Sequence, residues 1–151
     1  MQRVHRAAVT VDGRVTGAIG RGLVVFVGVT HGDGDGDAQR LAEKCMRLRC
    51  FPDDAGAMNR SVVEAGGALL AVSQFTLYGD TARGHRPSFA AAAAPAEAEA
   101  CYRTFCDAVR TAGIECAEGV FRAHMDVELV NDGPVTLLLE VGPATSAQAM
   151  P

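Results

Sequence analysis

Hydrophobic and polar positions alternate from the first residues of the chain. Val4, Ala7, Val9 and Val11 are separated by polar side chains, Asp12-Gly13 carries a hairpin signal, and Arg14 to Ile19 returns. Leu23 to Val29 is then unbroken apolar sequence, which predicts a strand covered on both faces. From Ala38 to about Arg49 the period changes: Ala38, Leu41, Ala42, Cys45 and Met46 fall on one helical stripe, with Asp37 as the expected N-cap. Phe51 to Ala65 reads as loop. Ala68 to Leu77 reads as another buried strand, and Gly79 to Ser88 as a polar loop. Pro95 opens a second helix whose stripe is Ala98, Cys101, Tyr102, Phe105, Val109 and Ala112, stopped by Gly113. Ile114 to Phe121, Met125 to Val130 and Val135 to Val141 close the pattern as strands. Asn131-Asp132-Gly133-Pro134 between the last two suits a hairpin turn.

With no regular βα alternation, this order predicts an α+β fold: one domain over residues 1–141, largely antiparallel sheets, and two main helices packed against them. Residues 142–151 have the composition of a disordered tail.

Composition narrows the chemistry. Hydrophobic residues make up 48% of the 151, but aromatics only 5%, so Val, Leu and Ala must fill the core. The net charge of -4 argues against a non-specific nucleic-acid coat and leaves room for a local basic patch. No apolar run is long enough for a membrane span. The five cysteines form no C-x-x-C pair and are odd in number, so neither a disulfide framework nor a structural zinc is expected, and the chain reads as cytoplasmic. The acidic alternation from Asp33 to Asp37 resembles the start of a calcium loop, but Ala38 and Lys44 stand where that loop needs Gly and Glu. No metal and no cofactor is expected.

Ordinary hydrolase designs are missing. There is no G-x-S-x-G elbow and no H-E-x-x-H, and His5, His31, His85 and His124 are scattered. Thr76 is the one nucleophile candidate beside a motif. Arg40, Lys44 and Arg47 line the polar face of the first helix, either as a solvated face with a Glu43–Arg47 pair or as a stripe that tracks phosphates.

Two short stretches together carry more weight than any of these, Ser73-Gln74-Phe75-Thr76-Leu77 and Asn131-Asp132-Gly133-Pro134-Val135-Thr136. With Ala8 to Gly13, the Gly22 to Val29 strand, Met58-Asn59 and Gly84 to Phe89, they make the chain resemble the D-aminoacyl-tRNA deacylases, the D-tyrosyl-tRNA deacylase family, from Gln2 to Val141. The resemblance implies a homodimer that hydrolyses the ester joining a D-amino acid, or mischarged glycine, to tRNA, releasing both as chiral proofreading in translation. It implies that Gly133 and Pro134, joined by a cis bond, act as the chiral filter in the partner subunit's pocket. Ser73, Gln74, Phe75 and Thr76 would line that pocket, with Thr76 positioning and not attacking. Met125, Asn131 and Thr136 would contact substrate. Arg40, Lys44, Arg47, Arg83 and Arg86 are the candidates for holding tRNA.

Two positions depart from the family's usual pattern: Arg60 replaces a Leu, and Arg122 follows Phe121 where a small residue is usual. The competing readings are a non-catalytic RNA- or metabolite-binding module of the same fold, and a Thr76-dependent esterase of small molecules.

Overall fold

The first strand, β1 (Gln2–Val11), is paired along both edges in the computed structural model, which describes residues 1–142. On one edge it meets β2 (Arg14–Ile19) through the expected Asp12-Gly13 turn, where both residues have positive φ, 49° and 76°. The same antiparallel register continues into β3 (Gly22–Val27): Ala7 faces Ile19 and Val4 faces Gly22. On its other edge β1 pairs antiparallel with β8 (Asp126–Thr136).

Beyond β3 the sheet turns parallel. β3 pairs with β6 (Ala68–Ser73), and β6 with β7 (Cys116–Glu118). Parallel neighbours need long crossovers, and the two helices supply them. α1 (Asp35–Arg47) lies between β3 and β6, and α2 (Pro95–Thr111) between β6 and β7. The result is the single α+β domain, with three antiparallel and two parallel pairings in its main sheet. β2 folds back over the sheet so closely that a Cβ at Gly17 would collide with the Glu118 carbonyl.

The continuous apolar run in β3 is used on both faces. Leu23, Val25 and Val27 join Leu69 and Ala71 beneath the helices, together with Ala42, Cys45, Phe105 and Val109. Val24 points the other way and packs with Val4, Val9, Leu70 and Val72. The five cysteines are free and buried, and burial pushes the Cys45 thiol up to about 11.

Several boundaries differ from the sequence expectation. α1 starts at Asp35 on Gly34, not at Ala38, because Asp37 reaches back from inside the helix to accept the Gly34 N–H at 3.0 Å. Phe51 to Ala65 contains a small ribbon, β4 (Phe51–Pro52) with β5 (Met58–Arg60). The Asp53 carboxylate organises its turn by accepting from the Ala55 and Ala57 amides and the Asn59 side chain. Of the expected strand over 135–141 only Val135 and Thr136 are strand, as the end of β8. β1 begins at Gln2, so β8 runs out of partner at Thr136, and Leu137 exchanges its last bonds with Met1. Of the expected tail, residues 143–151 lie outside the described residues. No helix among the described residues is long and apolar enough to cross a membrane.

Phe105 is fully buried where α2 meets the sheet. Phe105→Ala should lower stability by about 3–5 kcal/mol, against no more than ~0.5 kcal/mol for Val15→Ala on the surface. Denaturant midpoints at unchanged slope check this.

Candidate active site

β6 ends at Ser73, and the chain turns at once into a short 3-10 helix, Phe75–Tyr78, which replaces the expected last residues of that strand. The corner is pinned by the Gln74 N–H, which donates to the Val27 carbonyl at 2.8 Å. Phe75 and Thr76 are then the first two helical positions. Their N–H groups have no intrahelical acceptor and find no other backbone acceptor among the described residues. Gln74 donates from its side-chain amide to Thr76 Oγ1.

This corner forms one wall of a cleft of about 570 Å³. Val27, Val29 and Val72 lie at its base, and Ser73, Gln74 and Phe75 on the wall. Opposite stand Tyr102 of α2 and the loop Phe121–Met125 that leads into β8. Phe89 closes one side, edge-on to Phe75 with ring centroids 5.0 Å apart. The Ala71 carbonyl holds the far wall together: it accepts from the Gly119 N–H and from the Tyr102 hydroxyl, each at 2.9 Å.

The cleft contains no acid–base couple. Among the described residues, no carboxylate lines it. Burial pushes the Tyr102 phenol far above its ordinary value, so it stays a neutral donor to Ala71. His124 stands exposed at the rim, while His5 faces Asp132 at 3.5 Å and His31 bonds the Ala90 carbonyl at 2.9 Å. Thr76 has an amide, not a base, as its side-chain partner.

The Asn131–Thr136 stretch corrects the hairpin expectation. β8 does not reverse here. Four residues of β8 stand opposite one of β1, between the Val4–Asn131 and Gln2–Thr136 pairs, so the extra residues stand out as a bulge. The bulge carries Gly133 and Pro134, joined by a cis peptide bond. Gly133 has φ 130°, and a Cβ there would lie 2.8 Å from Val135 Cγ2 and 3.2 Å from Arg3 Nη2, so no other residue fits unchanged. The Asn131 side chain replaces the missing ladder, accepting from the Val135 N–H at 2.8 Å and donating to Thr136 Oγ1 at 3.0 Å. Behind the bulge lies Arg3, 8% exposed. Its Nε sits 3.1 Å from Asp132 Oδ2, Nη1 donates to the Cys50 carbonyl, and the guanidinium lies over the Phe51 ring at 5.9 Å.

The predicted residues therefore fall into three places. Ser73, Gln74, Phe75 and Met125 line the cleft, with Thr76 beside them. Asn131, Gly133, Pro134 and Thr136 form the bulge and line no part of it in this chain. On α1 the Arg47–Glu43 pair forms at 3.0 Å. Arg40 bonds Asp37 and the Gly142 carbonyl, and Lys44 the Glu140 carbonyl. Arg83 and Arg86 lie exposed on the loop between the Asp80 and Ser88 bridge partners and make no ion pair among the described residues. Sequence reasoning did not anticipate Tyr102, whose helical spacing marks it only as core, nor Phe121 and His124, and it gave Phe89 no role although the Gly84 to Phe89 stretch ends on it.

Known proteins resemble this chain over most of its length. D-aminoacyl-tRNA deacylases of Koribacter versatilis and Anaeromyxobacter dehalogenans are each 57% identical over 140 residues, 93% of this chain and 94% of theirs. That of Deinococcus radiodurans is 55% identical, over 93% of this chain and 97% of its own. A solved structure, the c-Myc DNA Unwinding Element Binding Protein, superposes with a TM-score of 0.87 at 37% identity, covering 94% of this chain and 97% of that one. A probable eukaryotic D-amino acid tRNA deacylase shares the fold at 18% identity, with a TM-score of 0.75. The family model for D-Tyr-tRNA(Tyr) deacylase matches residues 1–140, which takes in both the Ser73–Tyr78 corner and the β8 bulge. On this match and these identities, the chain is a member of the D-Tyr-tRNA(Tyr) deacylase family.

Proposed function

We propose that the protein hydrolyses the ester bond of D-aminoacyl-tRNA, and of glycine mischarged on tRNA, releasing free tRNA and the amino acid in the cytoplasm. The observation that carries this reading is a cleft without a nucleophile–base couple, set against two unpartnered N–H groups at Phe75 and Thr76. Such a site suits a substrate that helps itself. The terminal ribose has a 2′-OH beside the ester. The enzyme then has to hold the ester in place and stabilise the oxyanion with fixed N–H donors. Gln74 orients the Thr76 hydroxyl beside those donors. Ser73, Phe75 and Met125 shape the cleft for the terminal nucleotide and amino acid.

The active form is a homodimer in which Gly133 and Pro134 of one subunit enter the cleft of the other. Support comes from the bulge: it projects from an edge strand, is braced by Arg3 and Asn131, and serves no cleft in its own chain. A rigid backbone surface of this kind accepts from the substrate ammonium and leaves no room for an L side chain, which is selection by exclusion. Glycine, without a side chain, passes. Arg83 and Arg86 meet the tRNA backbone, while Arg40, Lys44 and Arg47 are available to it only at the expense of the internal partners they already have.

Two experiments test this. Thr76→Ala should retain substantial D-aminoacyl-tRNA hydrolysis, whereas tRNA ending in 2′-deoxyadenosine should be a poor substrate in single-turnover assays. A dead Thr76→Ala enzyme with normal turnover of the deoxy substrate would make Thr76 the nucleophile. Gly133→Ala and a cleft-blocking Ser73→Phe should each be inactive alone. Mixed and refolded together they should regain activity, up to a quarter of the wild-type level for random pairing, because one hybrid cleft in each heterodimer has both parts intact. No recovery from folded, mixed subunits would refute the shared cleft.

A further inference from the structure

The turn between β7 and β8 holds an arginine in a conformation that suits glycine. The Ala123 N–H donates to the Val120 carbonyl at 3.1 Å, closing a four-residue turn in which Arg122 is third, with φ 62°. Positive φ at that position is where turns of this kind place Gly or Asn, because a Cβ is disfavoured there. Among the described residues, Arg122 is one of two other than glycine with positive φ, the other being Asp12 in its hairpin turn. A backbone outlier at a functional site calls for an account of what the side chain does.

The side chain lines the mouth of the cleft and is exposed, next to His124. It makes no hydrogen bond and no ion pair among the described residues, unlike most cations of the chain. Arg3, Arg6, Arg40, Arg47, Arg60, Arg103 and Arg110 all face carboxylates, and Lys44 a backbone carbonyl. An unpaired guanidinium at the entrance of an otherwise uncharged cleft is a site for an anion. The substrate class narrows that anion. The reacting end carries an ammonium and a neutral ester, and a carboxylate only when the amino acid is an acidic one, so the anions the substrate brings whatever its amino acid are the phosphodiesters of the strand leading to the ester.

We infer that Arg122 is a specificity-determining residue that binds a backbone phosphate of the tRNA acceptor strand, next to the esterified nucleotide. This rests on the deacylase reading. It gives the left-handed backbone at Arg122 a reason to be kept.

The experiment uses Arg122→Gly and Arg122→Lys on two substrates, a D-aminoacyl-tRNA and the corresponding D-aminoacyl ester of adenosine, which has no phosphate. Arg122→Gly should melt at the same or a higher temperature, because glycine relieves the backbone. On tRNA its KM should rise about threefold or more, with the smaller change in kcat. The slope of log(kcat/KM) against log salt should become shallower by about 0.7, the single-strand value for one phosphate. The loss on the adenosine ester should be smaller, and Arg122→Lys should restore most of the salt slope. An unchanged KM and salt slope on tRNA would overturn the inference. So would equal losses on both substrates, which would place Arg122 inside the reacting site, or a lowered melting temperature with losses that lysine does not repair, which would make it structural. If the wild-type enzyme cleaves neither substrate, the deacylase reading itself falls, and the role of Arg122 with it.

Discussion

A guanidinium taken out of water must be paired or the fold loses several kcal/mol, and Arg3 is the buried cation of this protein. Its partners come from two separate parts of the chain: Asp132 in the β8 bulge, and the adjacent Cys50 carbonyl and Phe51 ring after α1. None can move far without leaving the charge uncompensated. The demand fixes where β8 departs from β1 and braces Gly133 from behind, at a spot where a Cβ does not fit. Asn131 closes the same turn from the front with side-chain bonds that stand in for the interrupted ladder. The turn is thus held on both sides.

The cleft is stiff for a different reason. Its base is the doubly buried β3–β6 pair, and its walls hang from single backbone groups, Val27 on one side and Ala71 on the other. What the fold supplies there is geometry: two N–H groups without a backbone acceptor, a hydroxyl held by Gln74 and an apolar enclosure.

Local signals in the sequence were sufficient where one short rule decides the structure. Asp12-Gly13 reads as a tight turn, Pro95 and Gly113 bracket α2, and the apolar run from Leu23 reads as a strand buried on both faces, because each depends on neighbours a few residues away. Asn131 to Pro134 misled for a physical reason. The same residues suit a reversing turn or a bulge, and the choice is made by Arg3, some 130 residues away in sequence. The expected strand after Thr136 failed likewise, since its apolar pattern cannot reveal that its partner ends. Of the cleft, Ser73 to Thr76 and Met125 were legible through the resemblance. Tyr102 was hidden because a buried helical aromatic looks the same whether or not one edge of its ring faces a cleft. The α1 cations were ambiguous until the carbonyls of Glu140 and Gly142 appeared beside them.

β8 has a neighbour on one side only among the described residues. Along an edge strand, successive amides face alternately towards the partner strand and away from it. In an isolated subunit, amide hydrogen exchange along β8 would follow a two-residue rhythm, slow where β1 accepts the proton and fast between. Where a second subunit covers that edge, the fast half would slow as well. The strand that carries the cis turn would thus report its own assembly, residue by residue, without any label placed near the cleft.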